Sequence, residues 1–136
     1  MSNVLVRHRS ISELEFYRNA CELRGTLTRF VMNEKNVPKR YKFVFAVPMV
    51  NLLLELFNNI TMANTIYAIS EHEAQLRRDY QTKAIANCEQ ALQLLQYMTD
   101  TLPIDVNKLR IPIDLIRKEI ALLKAWRKAT KVPAKE

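Results

Sequence analysis

The sequence predicts an all-α fold, an antiparallel up-down four-helix bundle that forms a single domain over residues 1–136. The first observation is that the chain contains one glycine and five prolines, whereas sandwiches and barrels use many glycines in their tight turns. The second is that apolar residues recur with a period of 3.6 in four segments joined by short links, as in helices. We expect ordered helices within about 11–131, flanked by short basic tails.

The first two helical segments differ in character. The first, residues 11–33, has one broad apolar face, and Ser12 followed by Glu15 is a capping box that favours a helix start. The second, about 42–69, is apolar on most sides, so it is either central in its own domain or shares a face with another subunit. Pro48 is tolerated if it lies in the first turn of this helix and kinks the helix if it lies deeper.

The last two helical segments are amphipathic and have clear start signals. The third covers about 71–98, and Ser70 with Glu73 forms a second capping box at its start. The fourth covers about 113–130, and Pro112 suits the entry to a helix. Short links between four helices of this length favour a bundle.

The positive charge lies at the two ends of the sequence. The formal net charge is +7 and the pI is about 9.6. Residues 1–47 and 101–136 each carry a net charge of +5, whereas 48–69 carry −1 and 70–100 carry −2. A basic chain favours nucleic acid, an acidic protein or an anionic membrane surface as a partner.

Two groups of basic residues are the candidate nucleic-acid-binding site. One group precedes the second helix. The other group lies on one arc of the fourth helix, because most of its members are seven residues apart and the remaining one projects from the same side. In an up-down bundle the links after the first and third helices lie at the same end, so the two groups would approach each other. The interleaved Asp114 and Glu119 favour the alternative that the arc is an ordinary solvated surface. The groups are Lys39, Arg40 and Lys42 in the link, and Arg110, Arg117, Lys124, Lys128 and Lys131 on the arc.

Motifs for catalysis and metal binding are absent from the sequence. There is no glycine-rich phosphate loop, no nucleophile elbow and no HExxH pattern. Cys21 and Cys88 form no CxxC pair, and we interpret both as buried thiols in a reducing compartment. The sequence therefore predicts a protein that is not an enzyme and needs no metal or cofactor.

The sequence also predicts a cytoplasmic protein that does not enter a membrane. The first ten residues have no apolar core of the kind found in signal peptides. The apolar run at 43–54 is interrupted by polar residues, beginning with Glu55, before it reaches the roughly 20 residues that a membrane span needs.

Three segments resemble a known family. They are "VPKRYKF" between two long helices, the "NLLLELFNNITMAN" helix behind it, and the terminal "LIRKEIALLKAWRKATK" helix. Over roughly residues 14–131 the chain resembles the accessory variability determinants of diversity-generating retroelements, small basic four-helix bundles related to the ribosomal-RNA intervening-sequence proteins. In this resemblance Lys39 and Arg40 match the basic pair after the family's proline, and Arg127 matches the basic residue after its tryptophan.

The resemblance implies a homopentamer with a positively charged surface that binds RNA or DNA, and a reverse transcriptase as partner. It implies an accessory protein without catalysis of its own that supports mutagenic copying of a template RNA into cDNA. Two alternatives stay open from the residues. One is a helical protein–protein interaction module that binds an acidic partner and has no nucleic-acid role, and the other is an enzyme of unrecognised type.

Overall fold

Four α-helices make up the part of the chain that the computed structural model describes, residues 14–132, and no strand occurs in that range. The predicted all-α fold is therefore confirmed. We label the helices in chain order as α1 (Glu15–Met32), α2 (Val47–Thr65), α3 (Glu71–Thr101) and α4 (Arg110–Ala129). Shorter helical turns precede α2 and α4, namely a 3-10 turn at Lys39–Tyr41, a π turn at Lys42–Ala46 and a 3-10 turn at Val106–Leu109.

The first predicted capping box pairs Ser12 with Glu15, and Ser12 lies outside the described residues. Leu14 is extended and precedes the helix without a side-chain hydrogen bond to its first turn. The buried face of α1 follows the predicted period, with Phe16, Leu23 and Leu27 facing the core.

Pro48 lies at the start of α2, directly after a widened turn. The N–H of Val47 donates to the carbonyl of Lys42, five residues back, so the chain forms a π turn there. A proline has no N–H to donate, and its ring crowds the carbonyl four residues back, which here belongs to Val44. A π turn locally widens the helix, and this relieves that crowding before α2 continues in regular geometry.

The serine half of the second predicted capping box is present at the start of α3, and the glutamate binds the N–H of Ile69 instead of that of Ser70. The Ser70 hydroxyl accepts a hydrogen bond from the N–H of Glu73 at 3.3 Å, and the Glu73 carboxylate accepts one from the N–H of Ile69 at 3.2 Å. Serine therefore satisfies a first-turn donor that has no partner within the helix, whereas the N–H of Ile69, one residue before the cap, also donates to the Tyr67 carbonyl at 2.9 Å. The helix continues to Thr101, three residues beyond the predicted end.

Helix α4 begins at Arg110, three residues earlier than predicted. The 3-10 turn before it provides the early start, because the Asp105 carboxylate caps this turn by accepting from the N–H of Asn107 at 3.0 Å. Pro112 then falls within the first turn of α4, where its missing N–H costs no hydrogen bond.

The four helices share one apolar core. Helix α3 packs mainly against α2 and α4, and α1 packs against the same two helices. The ring of Phe16 on α1 lies 4.1 Å from that of Trp126 near the end of α4. The ring of Phe45, just before α2, lies 5.0 Å from that of Tyr97 near the end of α3. These contacts fix which ends of the helices are adjacent.

The two cysteines differ in environment. Cys88 on α3 is buried, as predicted, but Cys21 on α1 is exposed, so the prediction of two buried thiols is wrong for Cys21. On the α1 wheel Cys21 lies about 160° from the buried Leu23 and about 120° from the buried Leu27. These angles turn its side chain to solvent.

One helical stretch is apolar enough to raise the question of a membrane. The run Lys39–Thr65 could cross a bilayer by length and composition, with a mean hydropathy of 1.6 over its most apolar window. The same run supplies Met49, Leu56 and Ile60, fully or almost fully buried, to the core of the four helices. A core helix of a soluble domain meets the same criterion.

Replacement of Ser70 by alanine should lower the free energy of unfolding by about 1 kcal/mol, since one N–H of the first turn of α3 loses its acceptor. Urea unfolding followed by far-UV circular dichroism would measure the change. Ser70→Asp is the matched control, because its carboxylate can still accept this hydrogen bond and should preserve most of the stability. Equal stability of the alanine variant and the native chain would contradict the capping role.

Candidate nucleic-acid interface

The basic link before α2 presents three exposed cations. Lys39 and Arg40 lie on the 3-10 turn, and Lys42 opens the π turn. The Arg40 guanidinium lies 5.1 Å from the ring centroid of Tyr41, a cation–π distance that restricts its motion. Lys39 and Lys42 both line a cavity of about 90 Å³ at the end of α1, together with Glu34. The link therefore forms one local cluster of positive charge.

The contact between Phe45 and Tyr97 also locates this basic link within the fold. Phe45 lies three residues after Lys42, and Tyr97 lies four residues before the end of α3. The link to α2 and the connection from α3 to α4 are therefore at the same end of the helices. Arg110 begins α4 at this end, so it is the member of the second basic group that shares an end of the helices with the link.

Helix α4 carries an arc of exposed cations along its length. Its four members lie within about 40° on the helical wheel and span about 27 Å along the axis. Lys131 was predicted to extend this arc, but α4 ends at Ala129 and Thr130 is extended, so helical periodicity does not place Lys131 on the arc. The α4 arc therefore consists of Arg110, Arg117, Lys124 and Lys128, all exposed.

Arg127 lies on a different side of α4 from the arc. Its guanidinium donates to the Thr82 hydroxyl of α3 at 3.1 Å, and the residue is only partly exposed. Two arginines of α3 that the sequence analysis did not single out lie nearby. The Arg77 guanidinium lies 5.3 Å from the Trp126 ring centroid, and that of Arg78 donates to the Thr130 carbonyl at 3.3 Å. The adjacent pair "RR" is the feature of the sequence that could have indicated this cluster.

This arginine cluster is partly desolvated. Burial lowers the pKa of Arg77 from its usual value, and its Nε has no hydrogen-bond partner within residues 14–132. Arg78 also forms an ion pair with Glu71 at 3.3 Å. Arg127, Arg77 and Arg78 therefore join α3 to α4 at the end opposite the basic link.

Glu119 does not contribute to the exposed surface of α4, in contrast to the sequence interpretation. The residue is completely buried and accepts a hydrogen bond from the Asn19 side-chain amide at 3.1 Å. The same amide also donates to the Leu115 carbonyl at 3.0 Å. The second carboxyl oxygen of Glu119 and the side-chain oxygen of Asn19 have no partner among the described residues. A helical wheel of the sequence could have indicated this burial, since Glu119 lies about 40° from the buried Leu123.

Burial changes the charge of Glu119. Desolvation raises its pKa to about 8, although the Asn19 hydrogen bond and Lys118 act in the opposite direction. The carboxyl group is therefore mainly neutral at pH 7. Asp114 is then the one exposed acid within α4, and the acidic interruption of the basic surface is smaller than the sequence suggests.

The predicted cations form no ion pair with any residue that the structure describes. Within residues 14–132, the ion pairs are those of Arg78 with Glu71 and of Lys118 with Glu15, and neither includes a predicted binding residue. Exposed cations without a carboxylate partner can neutralise phosphates and release their counterions. No group of three or more histidine, cysteine, aspartate or glutamate side chains suited to a metal occurs in the described range.

No protein-family model matches the chain, and neither a curated protein nor a solved structure matches it. The family resemblance therefore rests on the three sequence segments that carry it.

The free energy of unfolding should fall as the pH rises from about 4.5 to about 8, because the folded chain keeps a proton on Glu119 that the unfolded chain releases. The contribution of this one group approaches about 1.4 kcal/mol per pH unit within that window. In Glu119→Gln this contribution should disappear, and the variant should gain stability relative to the native chain as the pH rises. Urea unfolding at pH 5, 6, 7 and 8 would measure both slopes.

Asp114→Asn is the matched control for this comparison, since Asp114 is an exposed acid on the same helix. It should retain the native pH dependence. If Glu119→Gln kept that dependence as well, Glu119 would titrate normally in the folded chain.

Proposed function

We propose that this chain is a non-catalytic, basic accessory protein that binds RNA or DNA together with a retroelement reverse transcriptase, and that it supports mutagenic copying of a template RNA into cDNA. One observation supports the nucleic-acid part of this proposal: the basic link and the α4 arc present exposed cations that form no ion pair within residues 14–132. The reverse transcriptase and the copying role come from the resemblance to the accessory variability determinants.

The distribution of these cations suits a nucleic-acid backbone. Arg110, Arg117 and Lys124 recur every seven residues on α4, about 10.5 Å apart along the axis. A row of this length can follow a strand of phosphates, which are regularly spaced negative charges. Glu119 strengthens this interpretation, because a buried neutral carboxyl group does not oppose the row.

We propose that the four helices form an antiparallel up-down bundle and that five copies assemble into a ring. The packing of each helix against its neighbours in sequence, with α1 beside α4, supports the bundle. The absence of lysine and arginine between Lys42 and Arg77 supports a shared face on α2. The exposed apolar side chains within α2 and in the turn just before it are available to a second copy, and they include Phe43, Val44, Leu54 and Met62.

A ring would explain why basic residues precede a helix that is almost free of charge. In this arrangement α2 packs within the bundle and partly against the next copy, and the basic link is repeated five times around one axis. Repetition converts a modest charge on each copy into a strong positive potential. We place the assembly in the cytoplasm, without a cofactor and away from membranes.

An interaction module for an acidic protein remains the second candidate. It is favoured by the exposed aromatic residues near the basic link, Phe43 at 80% exposure and Tyr97 at 54%. Aromatic side chains and arginine are enriched in the cores of protein interfaces. Such a module would bind one acidic partner and would show no general affinity for oligonucleotides.

Replacement of Lys39, Arg40 and Lys42 together by glutamine should weaken nucleic-acid binding and flatten its salt dependence. Each lost phosphate contact reduces the slope of log K against log salt by about 0.7 for a single strand, so the slope should fall by about two. Fluorescence anisotropy with a labelled oligonucleotide would measure this slope. The salt concentration would be varied between about 50 and 200 mM, where phosphate contacts lose much of their affinity.

Lys118→Gln is the control for this measurement, because Lys118 is exposed but already paired with Glu15 at 3.5 Å. Its slope should stay close to that of the native chain. An unchanged slope in the triple variant would exclude the basic link from the site. Binding of one acidic protein without any oligonucleotide affinity would favour the interaction module.

The native mass in solution should be about 80 kDa, which corresponds to five copies of a 15.9 kDa chain. Light scattering after size-exclusion chromatography would measure it. Leu54→Lys places a charge on the exposed side of α2, where the side chain is 46% exposed, and should shift the mass towards the monomer without unfolding the chain. A native chain that is monomeric would contradict the ring.

A further inference from the structure

A cleft of about 240 Å³ separates α3 from α4 near the end that carries the basic link. Its aliphatic floor includes Leu95, Leu109 and Ile113, of which the first two are buried. Its rim is polar and exposed, with Gln93 and Gln96 on α3 and Arg117 on α4. An apolar floor with a few convergent polar groups is the usual composition of a small-ligand site.

The rim has hydrogen-bonding capacity that the fold does not use. The Gln96 amide nitrogen donates to the Asp100 carboxylate at 2.9 Å, which leaves the Gln96 carbonyl oxygen as an acceptor. Gln93 makes no side-chain hydrogen bond and Arg117 no ion pair among residues 14–132. The cleft thus offers three groups around one apolar surface: the Gln96 carbonyl oxygen, the whole side-chain amide of Gln93 and the Arg117 guanidinium.

The size and charge of the cleft restrict what it can hold. Sites for drug-sized molecules are larger, roughly 300–1,000 Å³, so this cleft suits a single small ring system. No carboxylate lines the cleft, and the Asp100 carboxylate beside the rim already accepts a hydrogen bond from Gln96. The occupant should therefore be a flat group that can accept or donate hydrogen bonds at its edge and carries a negative charge close by.

We propose that the cleft holds one unstacked base of single-stranded nucleic acid, with the adjoining phosphate on the Arg117 guanidinium. The base would lie on the aliphatic floor and present an exocyclic amine to the Gln96 carbonyl oxygen. This inference rests on the proposed nucleic-acid binding and adds that the chain selects unpaired strands. A base within a duplex is stacked and paired, so its faces cannot reach the floor.

Three labelled probes of one sequence test this inference on the full chain: a single strand, the same strand with abasic sites at its centre, and the duplex. Fluorescence anisotropy at a fixed salt concentration should show the intact single strand binding about 10-fold more tightly than the abasic strand, from one amide hydrogen bond and the apolar contact of the base. Photo-crosslinking through a halogenated base should label α3 or α4 next to the cleft.

Arg117→Gln should reduce the preference for the intact strand over the abasic strand to about one, since the phosphate that anchors the base loses its partner. Lys124→Gln is the matched control, because Lys124 lies one seven-residue step along the same arc and does not line the cleft. This control should weaken all three probes equally. Both side chains are exposed, so neither change disturbs the core, and circular dichroism would verify the helix content.

Equal, salt-dependent binding of all three probes would overturn the base site and leave the proposed nucleic-acid binding intact. Crosslinks confined to regions away from the cleft, or a preference for the intact strand that survives in Arg117→Gln, would also overturn it. Binding of none of the probes at low salt would overturn the base site and the nucleic-acid function together.

Discussion

The burial of one face of α4 against α1 and α3 is the constraint on which the rest of the structure depends. Ile116 and Leu123 are fully buried on this face, and each removes apolar surface worth about 2 kcal/mol from water. Their position fixes the rotation of the helix about its axis. The cations of the α4 arc lie about 80–140° from these residues on the helical wheel and therefore reach solvent. The surface proposed to bind nucleic acid thus follows from core packing.

The same rotation places Glu119 in the core. A buried carboxylate without full compensation is costly, and the usual response is a raised pKa and a neutral group. Asn19 satisfies one oxygen of Glu119, and a proton on the other gives it a donor in place of a buried charge. The protein thereby contains an acid that adds little negative charge to a basic helix near neutral pH. The protonation of Glu119 therefore affects both the stability of the fold and the net charge of α4.

The entry to α2 combines positive charge, aromatic side chains and irregular helix geometry. Lys39 and Lys42 lie on tight and widened turns, and Phe45 anchors this entry against α3. Because Pro48 follows the π turn, the crowded carbonyl is accommodated before α2 becomes regular. The anchored aromatic group holds the exposed cations close to the connection between α3 and α4. This arrangement places the basic link beside Arg110, the first cation of the α4 arc, which then runs along α4 towards the other end of the helices.

The sequence by itself determined the number and type of the helices, because periodicity and capping are local properties that neighbouring residues express directly. It also determined the α4 arc except for Lys131, which lies beyond the end of α4, since spacing along one helix needs no knowledge of its partners. Only the tertiary structure decided which side chains are desolvated or engaged across helices. It buried Glu119 beside Asn19, turned Arg127 towards Thr82 and exposed Cys21. Helix packing also placed Arg117 at the rim of a cleft, because burial and contact depend on residues that are distant in the sequence.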